Sequence, residues 1–183
     1  MTSGGPLAIP DIDDVYPIIP KWKSARILHF GDSHVAAGLK ASLARHFQSA
    51  GAVFHQEGWI GSRSKSWISS GRLKRLLSDF KPSIVVVTLG TNEMRNRRPK
   101  RNRIWVRAII EKIGKAKCYW VGPPPLIVDR TGYTDMLKDA THPCRFFDSR
   151  VLDMAPRSDG TFHLTASQGR RWGDRIWRWM NGE

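Results

Sequence analysis

Four short stretches of this chain carry residue types that do acyl-transfer chemistry together. The first is Phe30-Gly31-Asp32-Ser33-His34. A Ser on a tight strand-to-helix turn exposes its hydroxyl and keeps its backbone N–H at a helix N-terminus, where an anion is stabilised. Taken alone, the same Ser also reads as a helix N-cap after a Gly turn. The second, Gly58-Trp59-Ile60-Gly61-Ser62, has glycines that let a backbone N–H approach a ligand closely. The third is Gly90-Thr91-Asn92-Glu93, at the end of an apolar run. Asn92 there either offers a side-chain N–H to an oxyanion or serves as a turn residue. The fourth, Ser158-Asp159-Gly160-Thr161-Phe162-His163-Leu164-Thr165, sets a His just before a helix with an Asp upstream. That pairing supplies a base and a carboxylate to orient it. Together the four stretches furnish a nucleophile, oxyanion donors, a base and a carboxylate to orient it in one chain. None of this chemistry calls for a metal or a cofactor.

Such residues must be brought together by the elements around them. Short apolar runs bounded by turn residues predict strands at Arg26–Phe30, Ala52–Gln56, Ser83–Leu89 and Lys117–Val121, with a shorter one at Arg145–Phe147. Between them, Val35–Ala50 places Leu39, Leu43 and Phe47 on one helical face. Gly71–Phe80 and Asn102–Lys115 have the same periodicity, and Thr165–Met180 closes the chain with Trp172, Ile176 and Trp179 inward. Alternating strands and helices predict an α/β fold with a parallel sheet covered on both faces. In such sheets ligands sit beyond the carboxyl ends of the strands, which is where all four stretches fall.

These four blocks, in this order, resemble the SGNH (GDSL-type) hydrolases, a family of esterases and lipases. Gly31-Asp32-Ser33-His34 is similar to the family's first block, with His34 where Leu is usual. Gly61 matches the second-block glycine, and Gly90-Thr91-Asn92-Glu93 the third block, with Glu in place of the last Asp. The resemblance spans roughly residues 25–180. It implies a three-layer α/β/α sandwich with a mainly parallel, flavodoxin-like sheet, with Ser33 as nucleophile, His163 as base, Asp159 as its orienting carboxylate, and the Ser33 N–H, the Gly61 N–H and the Asn92 amide as oxyanion donors. The last block departs from the pattern, because three residues separate Asp159 from His163 where the family has two. Either a bulge leaves Asp159 within reach of His163, or a backbone carbonyl holds the imidazole instead. Many members of the family remove acetyl groups from polysaccharides, which makes a carbohydrate O-deacetylase the implied activity.

Composition narrows the partners. The 183 residues carry 30 Lys+Arg against 16 Asp+Glu, a formal charge of +14. With 40% hydrophobic residues, one domain with its own core is expected over residues 25–183. Residues 1–24 read as an extended Pro/Gly-rich arm, docked on its own domain or on a neighbouring chain. The run Arg95-Asn96-Arg97-Arg98-Pro99-Lys100-Arg101 follows Asn92 directly, and Arg63 and Lys65 follow Gly61. A basic rim attracts an anionic substrate and an aromatic face suits a sugar ring, so Arg63, Arg95 and Arg97, with Trp59, are candidate substrate-binding residues, and an ester-bearing acidic or cell-envelope glycan is the expected partner. Nucleic acid is the disfavoured alternative, since no recognised binding module accompanies the charge. The two cysteines are too few for a disulfide scaffold, and Cys118 reads as a small buried hydrophobe. There is no apolar run of membrane-spanning length and no Sec-type leader, so cytoplasmic synthesis is expected, with release by lysis or incorporation in a virion. The competing function is a binding or structural subunit of a larger particle, such as a phage tail, with weak or lost catalysis.

Overall fold

The computed structural model describes residues 21–94, 96, 98–154 and 163–182. Five parallel strands form one sheet: β1 (Arg26–Gly31), β2 (Val53–Gly58), β3 (Ile84–Thr88), β4 (Lys117–Val121) and β5 (Arg145–Phe147), in the order β2-β1-β3-β4-β5. Register is set at the carboxyl end, where Gly31 of β1 lies between Gly58 of β2 and Thr88 of β3. The order reverses between β1 and β3, and that switch point opens a crevice.

Side-chain alternation divides the apolar residues between two cores. Leu28, Phe30, Val85, Val87 and Trp120 face α2 (Ser64–Ser69), α3 (Arg72–Phe80), α4 (Arg103–Ile113) and α5 (Tyr133–Ala140). Ile27, Val86, Tyr119 and Val121 face α1 (Lys40–Ser49) and α6 (Ala166–Asn181), against Leu43, Phe47, Trp172 and Ile176. The result is the expected three-layer α/β/α sandwich.

Four features depart from the sequence expectation. The helix predicted over Val35–Ala50 is two pieces: a π turn at His34–Gly38, closed by the Leu39 N–H donating to the His34 carbonyl at 2.8 Å, and then α1. The break coincides with a close approach of α6, where a Cβ on Gly169 would lie 2.2 Å from the Gly38 carbonyl oxygen. Helices α2 and α5 were not expected. Trp22, assigned by sequence to the arm, is only 2% exposed and packs on Phe47, Tyr119 and Trp177, so the folded unit already includes it. The rest of the arm, residues 1–20, lies outside the described residues. Finally, Cys118 is bonded to Cys144, because the starts of β4 and β5 bring their Cα atoms within 4.6 Å. The reading of Cys118 as an unpaired buried hydrophobe is thereby corrected. Among the described residues no helix is long and apolar enough to cross a membrane.

Candidate active site

The turn after β1 presents Ser33. Asp32 is buried beneath it and organises the turn from both ends. Its Oδ1 accepts the His34 N–H at 3.0 Å, and its carbonyl accepts the Val35 and Ala36 N–H groups. Its own N–H reaches the Thr88 carbonyl of β3 at 3.2 Å. Burial pushes the Asp32 carboxyl up to about 7. The negative charge of Glu93 adds to that, and the His34 N–H opposes it.

Two further turns close in from β2 and β3. Gly61 adopts φ +72°, a left-handed conformation that favours glycine, and no atom would crowd a Cβ there; conformation, rather than space, selects the residue. The same turn is tied to β1, with the Trp59 N–H on the Gly31 carbonyl at 2.9 Å. Asn92 lies in a 3-10 turn, Thr91–Glu93, and donates Nδ2–H to the Ser62 carbonyl at 2.9 Å. One amide hydrogen thus fixes the side chain and the other remains for a ligand. Glu93 is buried and accepts the Ser64 N–H at 2.7 Å through Oε1. Two hydrogen bonds therefore lock the turn after β3 onto the turn after β2, and Glu93 supplies one of them. Burial raises the Glu93 carboxyl above its ordinary range, against the Ser64 N–H and the Arg63 charge, which lower it.

The last component arrives with α6. Thr165 caps the helix reciprocally with Gln168: Gln168 N–H to Thr165 Oγ1 at 3.2 Å, and Thr165 N–H to Gln168 Oε1 at 2.9 Å. This fixes the chain two residues beyond His163, and the contact of Gly169 with Gly38 sets α6 against the Ser33 turn.

Ser33, Gly61, Asn92 and His163 line a single cavity of about 290 Å³, walled otherwise by Ile60, Arg63, Thr91 and Ile127. Of the sequence candidates, Arg63 is on that wall. Trp59 is not; it packs edge-on to Trp67 at 5.7 Å between centroids and lies under the Arg72 guanidinium at 5.1 Å. Arg95, Arg97 and Asp159 lie outside the described residues. Sequence reasoning missed the apolar walls. Ile60 had a visible signal in its place beside Gly61, whereas Ile127 comes from a loop after β4 with no motif of its own. It missed also the buried pair Asp32 and Glu93.

Ser33, Gly61 and Asn92 follow β1, β2 and β3 at the switch point, and His163 enters from beyond β5. Solved structures share this fold. Axe2, an acetyl-xylooligosaccharide esterase from Geobacillus stearothermophilus, matches in a mutant form with a TM-score of 0.68 and 14% identity, over 86% of this chain and 95% of that one. The psychrotrophic esterase EstA from Pseudoalteromonas sp. matches with a TM-score of 0.60 and 19% identity, over 85% and 98%. A candidate GDSL-like lipase from Parabacteroides merdae matches at 0.64 and 12%, over 87% and 97%. This chain shares their α/β fold. No protein-family model matches the sequence, and no curated protein does. At these identities the likeness is one of fold, and the chemistry has to be argued from the site.

Proposed function

We propose that this protein is a serine ester hydrolase that removes a small acyl group, acetyl in the first instance, from an anionic or cell-envelope glycan. The observation that carries the reading is the convergence of Ser33, Gly61, Asn92 and His163 on one cavity. His163 takes the Ser33 proton as Oγ attacks the ester carbonyl. The N–H groups of Ser33 and Gly61 and the free Asn92 amide hydrogen hold the oxyanion, each donor of this kind being worth about 10²–10³ in rate. As the tetrahedral intermediate collapses, His163 returns the proton to the departing alcohol. A water then attacks the acyl-enzyme with His163 again as base, and the acid leaves with Ser33 restored.

The walls support the substrate class. Ile60 and Ile127 offer an apolar surface to a short acyl chain, and Arg63 sets a positive charge beside the ester. Acetyl esterases among proteins of the same fold accord with a small acyl group. The test is turnover of p-nitrophenyl acetate by the wild type and by Ser33→Ala. The variant is expected to retain its circular dichroism and to lose at least about 10³-fold in kcat. An unchanged rate removes Ser33 as the nucleophile.

A further inference from the structure

His34 stands where the resembled family carries a leucine, and the structure gives it a place that leucine would fill without chemistry. Its side chain is 1% exposed, yet its Nε2 has no hydrogen-bond partner. An apolar residue at this point would leave nothing unsatisfied, so the imidazole carries a desolvation cost that packing alone does not explain. The ring stands edge-on to Trp172 at 5.5 Å between centroids and an interplanar angle of 83°. Trp172 is itself fixed, its Nε1–H donating to Ser149 Oγ at 3.0 Å, and that hydroxyl donates to the Gly122 carbonyl at 2.7 Å. His34 also meets the His163 ring, 6.2 Å away between centroids and tilted by 59°. No hydrogen bond joins the rings as they stand, and a side-chain rotation or one bridging water is needed to connect their nitrogens.

We propose that His34 is a positioning residue for His163: its unpartnered ring nitrogen accepts the His163 N–H that faces away from Ser33, directly or through one water, and so fixes the tautomer and orientation of the base. The inference rests on the esterase reading of the site. Burial first, and the His163 charge second, push the His34 imidazole down to about 4, so it is neutral wherever His163 works and keeps a lone pair to offer. Among the described residues, the polar groups facing His34 are Asp32 of its own turn, whose Oδ1 takes the His34 backbone N–H, and His163; the Trp172 indole from α6 is uncharged. When His163 becomes an imidazolium in the transition state, the acceptor stabilises it. This is the service a carboxylate gives in a Ser-His-Asp site, here provided by a neutral group.

The experiment compares wild type, His34→Leu and His34→Gln by turnover of p-nitrophenyl acetate and by ¹⁵N spectra of the imidazoles. His34→Leu is expected to lower kcat about 10–100-fold, a part of what a general base supplies, with KM little changed. It is also expected to move the acidic limb of the kcat/KM profile to lower pH, because the proton on His163 has lost its acceptor. His34→Gln, which keeps an acceptor oxygen, is expected to recover part of the rate. In the spectra, wild-type His163 shows one fixed tautomer, and His34→Leu a mixture. A His34→Leu protein with wild-type kcat, pH profile and His163 tautomer overturns the proposal. If His34→Leu does not fold, His34→Gln and the wild-type spectrum decide alone: a mixed tautomer in the wild type also overturns it. An inert wild type that shows the fixed tautomer removes the esterase reading and leaves the pairing of His34 with His163 standing.

Discussion

At the scale of single residues, the site is set on a buried carboxyl that does no chemistry in the proposed reaction. Asp32 in the native state holds its proton up to about pH 7, whereas an unfolded Asp releases it near pH 4. Between those values the native state binds more protons than the unfolded one, so this residue's contribution to stability falls as pH rises. The contribution is most favourable below about pH 4, declines through the window, and is level above about pH 7. The span is on the order of 4 kcal/mol. Asp32→Asn keeps an oxygen for the His34 N–H and cannot ionise. Relative to wild type, it is therefore expected to gain stability as pH rises from 4 to 7. His29 and His34, buried and held neutral by desolvation, give the opposite slope, but they are present in both proteins and cancel in the difference. Urea unfolding of both proteins at pH 4.5 and 8 measures it. A difference that does not change with pH means that Asp32 is ionised in the native state at both.

At the scale of elements, all the strands that carry the site's turns lead toward one end of the sheet, and the disulfide lies at the other. Cys118 is near the start of β4 and Cys144 just before β5, with a sequence separation of 26. Closing a loop of that size in the unfolded chain contributes about 3 kcal/mol. Cys144→Ser is expected to lose roughly that much stability in urea while keeping the wild-type kcat, because the switch-point turns are untouched. A large loss of kcat with native stability would mean that the bond shapes the site. This bond was illegible in the sequence, since a spacing along the chain says nothing about whether two Cα atoms come within reach. The strands were legible because Ile84-Val85-Val86-Val87 and its counterparts are short, β-branched or apolar, and bounded by turns. Helix α2 was missed because Ser64-Lys65-Ser66-Trp67-Ile68-Ser69 has too few apolar positions to show a period. In α5, Tyr133, Leu137 and Ala140 do keep helical spacing, but over only two turns. Of the site, the order of the blocks was readable in Ser33, Gly61, Asn92 and His163. The locks between blocks were not, because Glu93 on Ser64 and Asn92 on Ser62 are contacts made only once the strands align.

At the scale of the whole molecule, the +14 charge was legible as a number but not as a field. The fold gives it direction. Arg63 stands on the cavity wall, and exposed Arg98, Lys100, Arg101 and Arg103 follow the Asn92 turn at the same end of the sheet. Exposed Arg170, Arg171, Arg175 and Arg178 run along α6, the helix that brings in His163. A cleft with cations on its rim raises the local concentration of an anionic substrate and speeds encounter by about 10–10³ at low salt. That gain comes from exposed charges, which salt screens over a Debye length of about 8 Å at physiological ionic strength, so added salt reduces it. An uncharged ester gains nothing from the field and loses nothing. For an acetylated acidic polysaccharide, kcat/KM is therefore expected to fall at least about tenfold between 20 mM and 500 mM NaCl, with kcat preserved. For p-nitrophenyl acetate over the same range it is expected to stay within about twofold. Equal salt responses of the two substrates would detach the charge from substrate capture.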